Sequence, residues 1–291
     1  MPVLKEPINF LLMWGSEVLF MKNVFLQDKV YHMSKPLILV TNDDGITAPG
    51  LRMLIRLMKD LGEVVVVAPD SPQSGMGHAI TLDSTLYSKK VIIDPEHGAP
   101  EEYSCSGTPA DCVKLALQEL LPRRPDLCVS GINHGSNASI NVIYSGTMSA
   151  AIEAGIEGIP AIGFSLCDYS WRADFAPSRD AVRQITSEAL KNGIPPGVVL
   201  NVNIPKTDGD PPRGVRVCRQ ARANWKERFD KRTNPNGREY YWLTGEFELL
   251  DKGEDTDEWA LSHGYVSVVP TQFDLTAHHA IQDLNNWRLN D

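Results

Sequence analysis

The chain lacks any run near the ~20 apolar residues that a membrane-crossing helix needs, so no membrane partner is expected. It also lacks a basic cluster. With 28 basic against 37 acidic residues its formal charge is −9. A groove for a nucleic-acid polymer, which depends on a positively charged track, is excluded on that ground. Cysteine is sparse and scattered: Cys105, Cys112, Cys128, Cys167 and Cys218 form no C-x-x-C pair and no Cys/His cluster. That argues against a disulfide framework and a structural zinc, and for a reducing, cytoplasmic setting. Several nucleotide and hydrolase signatures are missing as well. There is no G-x-G-x-x-G after the first strand and no G-x-x-x-x-G-K-[ST]. Gly45 occupies the position two after Asp43, so the D-x-D of an aspartyl-phosphate phosphatase is absent, and no G-x-S-x-G elbow occurs.

What remains is an ordinary globular composition, 42% hydrophobic and 22% charged over 291 residues, enough for a sizeable core. Residues 1–33 read as an extension outside the fold. Residues 8–14 are apolar and allow a short secretory signal, but no small-residue cleavage site follows and Glu17 comes soon after. The preferred reading starts the natural protein at Met33, because Met33-Ser34-Lys35-Pro36 leads directly into the first strand.

From there the chain alternates. The apolar run 37–40 is a buried strand, followed by the polar turn Asn42-Asp43-Asp44-Gly45. Leu51, Leu54, Ile55 and Met58 then repeat at helical spacing behind Pro49. The β-branched run 64–67 predicts a strand buried on both faces, which completes a βαβ unit. A breaker-rich loop, 69–78, leaves its carboxyl end. Candidate short strands fall at 79–82, 86–88, 91–93 and 103–105. Thr108-Pro109-Ala110-Asp111 predicts a helix start with Thr as N-cap. A strand over 126–130 runs into the polar exit 131–137. A helix opens at Ser145-Gly146-Thr147, a strand covers 159–165, a helix 178–192 and a strand 198–204. The alternation over 34–205 predicts a doubly wound α/β catalytic core with a mostly parallel sheet. Residues 206–291 differ: strand chemistry at 215–219, 239–244 and 265–269 frames a charged stretch at 225–238 and an acidic loop at 251–258. They read as β-hairpin arms of the kind that pack on another subunit.

Strand exits of an open α/β sheet share one edge, where ligands bind. Asn42, Asp43, Asp44, Ser74, Asn133 and Asn137 all fall there, and every one offers oxygen. Such a set suits a hard cation, Mg²⁺, Mn²⁺ or Ca²⁺, and not zinc or copper. Each residue also has an ordinary role to weigh: Asx turns for the asparagines, a plain turn at Ser74, an N-cap at Ser145. Ser145-Gly146-Thr147 adds helix N-terminal amides and hydroxyls, an anion site. A cation beside an anion pocket suggests a phosphoryl substrate and water attack, with either carboxylate a candidate to orient the water. His78 and His134 are loop candidates for acid/base work against the plainer reading of surface histidines. No aromatic is assignable to a base-stacking role.

Residues 39–50, from Leu39 through Asn42-Asp43-Asp44-Gly45 to Gly50, resemble the signature of the SurE (survival protein E) family of metal-dependent 5'/3'-nucleotidases. So do Val66–Asp70 with Gln73-Ser74-Gly75, the stretch 106–113, and Ser130-Gly131-Ile132-Asn133 through Tyr144-Ser145-Gly146-Thr147. The resemblance covers about residues 36–205. It implies a Rossmann-like core and hydrolysis of nucleoside monophosphates to nucleoside and phosphate. It implies one divalent cation per subunit, Mg or Mn, held by Asp43, Asp44, Ser74 and Asn133, with Asp43 and Asp44 catalytic. Phosphate contacts map to Asn42, Asn137, Ser145, Gly146 and Thr147. A homodimer or homotetramer joined through C-terminal arms is implied too. A regulatory nucleotide binder using the same pocket without turnover is the alternative from another class.

Overall fold

The computed structural model describes residues 35–289 apart from 100, 171, 208 and 288; the readings made on residues 1–33 lie outside the described residues. The apolar run becomes β1 (Leu37–Thr41), buried throughout. Its side chains alternate between two cores, as strand geometry requires. Ile38 and Val40 face one helical layer, Leu37 and Leu39 the other. The predicted βαβ unit follows as α1 (Pro49–Lys59) and β2 (Glu63–Pro69), with Leu51, Leu54, Ile55 and Met58 of α1 fully buried. Then come β3 (Ser88–Lys90), β4 (Glu101–Cys105), α2 (Pro109–Leu115), β5 (Leu127–His134), α3 (Gly146–Ile156), β6 (Ala161–Leu166), α4 (Arg179–Asn192) and β7 (Val198–Ile204). Helices α1 and α4 cover one face of the sheet, α2 and α3 the other.

Strand order is β3-β4-β2-β1-β5-β6-β7, continued by β11 (Val266–Gln272) and β8 (Val215–Val217). From β4 to β7 every pairing is parallel; β3 and β11 join antiparallel to β4 and β7. The fold is thus α/β, doubly wound and Rossmann-like. The chain winds outward from β1 through β2 to β4, then returns to β5 on the other side of β1. The switch point lies between β1 and β5, and the exits of these two strands carry Asp43 and Asn133.

Several expectations shift. Residues 79–82 are not a strand, because their main-chain groups are claimed by the cap of α2. Thr81 N–H donates to Asp111 Oδ1 at 3.0 Å, and Thr108 Oγ1 donates to the Ala79 carbonyl at 2.7 Å. The predicted capping box at Thr108 and Asp111 does form. Residues 91–93 leave the ladder because Asp94 Oδ1 turns the chain by accepting the N–H groups of Glu96 and His97. The expected strand at 86–88 moves to β3. Residues 131–134 continue β5 where a loop exit was expected. The C-terminal residues are only partly an arm. β8 and β11 extend the core sheet, while β9 (Ala223–Thr233) and β10 (Glu239–Leu249) form the long separate hairpin. The acidic loop ends at Thr256, which caps α5 (Asp257–Ser262). Among the described residues no helix is long and apolar enough to cross a membrane.

Candidate active site

The exit of β1 is a tight polar turn. Asn42 Nδ2 donates to the Gly45 carbonyl at 3.0 Å, and Gly45 takes φ +97°, a left-handed value that a side chain would strain. Asn42 is therefore turned inward, and its Oδ1 is buried with no hydrogen-bond partner. Asp43 is 4% exposed, and Asp44 beside it is half-buried. Burial, then the charge of Asp44, pushes the Asp43 carboxyl up to about 6, against hydrogen bonds from Thr147 that pull it down. Burial also raises Asp44, whose Oδ2 accepts the His134 N–H at 3.1 Å. Two adjoining, desolvated carboxylates repel each other, a penalty that a cation between them relieves.

The loop after β2 is fastened to this turn. Gln73 N–H donates to the Asp43 carbonyl and Ile46 N–H to the Pro69 carbonyl, both at 2.8 Å. Ser74 sits at the exposed end of that loop. His78 anchors its far side: Nε2 meets Glu153 Oε2 of α3 at 2.8 Å, while Lys114 Nζ takes Oε1 at 2.6 Å.

At the exit of β5 a bulge re-aims the chain. Ser130 to Asn133 advances three residues while the partner strand advances two, from Gly163 to Ser165. Gly131 adopts φ +126° there, and a Cβ would meet the Phe164 carbonyl at 2.3 Å. Asn133 Nδ2 donates to the Gly135 carbonyl at 2.9 Å, which leaves Oδ1 as its acceptor atom. Beyond it, Asn137 is gripped by a closed ring of amides. Its N–H donates to Asn203 Oδ1 (2.8 Å), Asn203 Nδ2 to Asn201 Oδ1 (2.9 Å), and Asn201 Nδ2 to the Asn137 carbonyl (2.9 Å). Asn137 Nδ2 in turn donates to Ser165 Oγ at 2.8 Å, one of its two N–H bonds. Two residues on, Ser139 is held at φ +53° by buried Asp257. Asp257 Oδ2 accepts the Ser139 N–H and Oδ1 the Ala221 N–H, at 2.8 and 2.9 Å.

The third contribution is the start of α3. Ser145 is its N-cap, with Oγ accepting the Met148 N–H at 3.0 Å. Gly146 approaches so closely that a Cβ would lie 2.7 Å from Asp43 Cβ. Thr147 Oγ1 donates to Asp43 Oδ1, and the Thr147 N–H is directed at the same carboxylate. The expectation that both hydroxyls face an anion is corrected here: Thr147 is spent on Asp43. What α3 directs at the site is its positive N-terminal end and the O–H of Ser145.

A cavity of about 280 Å³ brings Asp43, Ser74, Asn133, Asn137 and Ser145 together. Asp44, Gly146, Thr147 and Asn42 do not line it: Asp44 accepts the His134 N–H, Gly146 and Thr147 abut Asp43, and Asn42 is bonded within its own turn. His134 lines the cavity too, its ring bonded to the Ser170 carbonyl, whereas His78 serves the loop anchor. Sequence reasoning missed the aromatic rim of Tyr144, Tyr169 and Trp225. It also missed the asparagine ring, although two amides at i and i+2 of an otherwise apolar strand, Val198–Ile204, were a visible signal. Nothing in the local pattern marked Trp225 or Asp257.

Comparison with known proteins finds relatives along most of the chain. The family profile described as survival protein SurE matches residues 38–227. A protein named 5'-nucleotidase SurE from Christiangramia forsetii is 71% identical over 257 residues, covering 88% of this chain and 98% of that one. Its namesake from Flavobacterium psychrophilum is 68% identical over 258 residues, covering 89% and 100%. Among solved structures, the SurE protein of Aquifex aeolicus superposes with a TM-score of 0.74 at 39% identity, covering 86% of this chain and 98% of that one.

Proposed function

The chain belongs to the survival protein SurE family, and from that premise we propose that it is a 5'-nucleotidase whose phosphomonoester hydrolysis depends on a divalent cation and extends to 3'-monophosphates. The observation that carries the reading is buried Asp43, with half-buried Asp44 beside it, at the sheet's switch point; Asp43 lines a cavity whose polar walls include Ser74, Asn133, Asn137 and Ser145. The donor set fits a hard cation such as Mg²⁺ or Mn²⁺: two carboxylates, a hydroxyl and an amide oxygen. Asp43, Asp44, Ser74 and Asn133 would hold it. A cation there supplies Lewis-acid polarisation of a phosphoryl oxygen and lowers the pKa of water.

The chain's own residues do the rest. Thr147 fixes the Asp43 rotamer and Gly146 leaves room for it. The Gly135 carbonyl holds the Asn133 amide by its Nδ2, so Oδ1 is the atom left to accept from or bind a ligand. Asn137 and Ser145 offer an N–H and an O–H to phosphate oxygens, helped by the N-terminal end of α3. Free cysteines throughout suit a reducing, cytoplasmic setting. A homodimer or homotetramer is supported by Phe229, Tyr241 and Trp242, large and exposed on the hairpin.

The deciding experiment is phosphate release from adenosine 5'- and 3'-monophosphates, with EDTA and after re-addition of Mg²⁺ or Mn²⁺. Release that EDTA abolishes and metal restores is expected. Nucleotide binding with no release under any metal would replace the enzyme by a regulatory binder.

A further inference from the structure

The cavity that holds Asp43 does not end at its own rim. A second cavity, of about 380 Å³, shares Gly75, Tyr144 and Trp225 with it and continues along the β9–β10 hairpin to Leu243 and Thr244 at its middle. We propose that this second cavity takes the nucleoside part of the substrate, with Trp225 and Tyr144 as the stacking walls for the base. The proposal rests on the nucleotidase reading and assigns that site its leaving-group end.

Three observations carry it. The first is continuity: Tyr144 immediately precedes Ser145, so the aromatic wall begins one residue from a phosphate-side group. The second is rigidity. The Trp225 indole N–H donates to Asn141 Oδ1 at 2.9 Å, and the Phe247 ring packs against it in a T-shaped contact with centroids 5.4 Å apart. A ring fixed by its own N–H and by a neighbour is a stacking surface set before the ligand arrives, which cuts the ordering cost of binding. The third is charge. Glu227 lines the second cavity. Its carboxylate opposes a phosphate dianion there and tolerates a neutral base, so the substrate enters with phosphate towards Asp43 and base towards the hairpin.

The opposite rim offers a competing aromatic, Tyr169. Its hydroxyl accepts the Ser136 N–H at 3.1 Å, and its ring lies on Gly135, where a Cβ would come within 2.6 Å. Tyr169 therefore covers the loop that carries Asn137, and the second cavity does not include it. Stacking on Trp225 and Tyr144 has a consequence for specificity. Every base has a π-face, so such walls accept purines and pyrimidines alike and favour the larger ring system.

The test compares adenosine 5'-monophosphate with ribose 5-phosphate, which lacks the base, in the wild type, Trp225→Ala, Trp225→Phe and Tyr169→Ala. Trp225→Ala should raise KM for the nucleotide relative to ribose 5-phosphate by a factor of roughly 5–150, the equivalent of one lost base–aromatic stack. Trp225→Phe should recover most of that ratio. Equal losses on the two substrates would make Trp225 a mere buttress of the 139–144 turn and overturn the proposal. So would a selective loss in Tyr169→Ala with none in Trp225→Ala. Should the wild type release phosphate from neither substrate, the nucleotidase reading falls separately, and calorimetric titration with adenosine judges the walls alone. Binding that is lost in Trp225→Ala and kept in Trp225→Phe upholds them; binding absent in the wild type, or equal in all forms, overturns them.

Discussion

Two single residues carry testable weight. Thr147 touches the candidate cation site only through Asp43, to which it gives its hydroxyl and its N–H. Thr147→Val keeps the shape and removes the hydroxyl donor. Partners that orient metal ligands typically matter by 10–100-fold, so Mn²⁺ affinity, read by calorimetry, should fall by roughly that factor while the melting temperature barely moves. Glu258 makes a pH prediction away from the site. Burial, then the neighbouring Asp257, pushes its carboxyl up to about 7 from an ordinary 4.5. The folded state thus keeps a proton that the unfolded chain has already lost between these values. Glu258 therefore costs nothing below about pH 4.5, and its penalty grows as the pH rises to about 7. Glu258→Gln should be more stable than the wild type at pH 8 by about 1–2 kcal/mol, after allowance for solvent screening at a partly exposed site. Near pH 5 the difference should shrink towards zero. Urea midpoints at the two pH values read both.

At the scale of elements, the site is assembled by what strands and helices do at their ends. Strand β7 sends two side chains, from Asn201 and Asn203, to act as main-chain hydrogen-bond partners for residue 137. Asn203→Ala opens that ring and leaves the buried Asn137 N–H and the buried Asn201 Oδ1 unmet. Each such group is worth about 1–3 kcal/mol, so a stability loss of about 2–6 kcal/mol is expected in chemical denaturation, together with a raised KM for the nucleotide. Asn203→Asp keeps an acceptor for the Asn137 N–H but sets a buried carboxylate against Asn201 Oδ1, so at neutral pH it should lose at least as much. Helix α3 makes the complementary contact. Gly146→Ala places a methyl 2.7 Å from Asp43 Cβ, so the helix start or the carboxylate must move. Metal-dependent turnover should drop while the circular dichroism of the folded state is kept. These elements were largely legible: β1, α1, β2, the capped start of α2 and the start of α3 follow from apolar period, Pro placement and Thr or Ser caps. The short strands were not, because Thr81 and Asp94 settle their local chain by hydrogen bonds to or from side chains, and apolar patterning carries no record of such bonds.

For the molecule as a whole, the hairpin of β9 and β10 is the feature that reaches beyond the core sheet. Its root packs on the core through Trp225 and Asn141. Phe229 and Tyr241 pack together on one face of the hairpin and Trp242 lies on the other, exposed at 68%, 55% and 59%, large apolar side chains left to solvent on both faces. Replacing these three with Ser should lower the mass measured by light scattering to that of one chain, with the core sheet retained. An unchanged mass would place any subunit contact elsewhere. The arm expected over 206–291 is narrower than its composition suggested. β8 and β11 were assigned to it by their position after a breaker-rich linker, yet their alternating Val residues pair with β7 and with each other. Pairing partners across a long linker are a tertiary choice, to which strand chemistry is indifferent.

The sequence by itself determined the α/β alternation, the switch-point edge and the oxygen-rich character of its residues, since these depend on local period, on turn chemistry and on the rule that strand exits gather on one side. Tertiary structure alone decided how those residues divide their work. It turned Asn42 into its own turn, committed Thr147 to Asp43, closed the amide ring around Asn137 and carried Trp225 back from 80 residues beyond Ser145 to the rim of the same cavity. Each of those outcomes is a hydrogen bond or packing contact between distant segments, fixed only when the sheet brings them within reach.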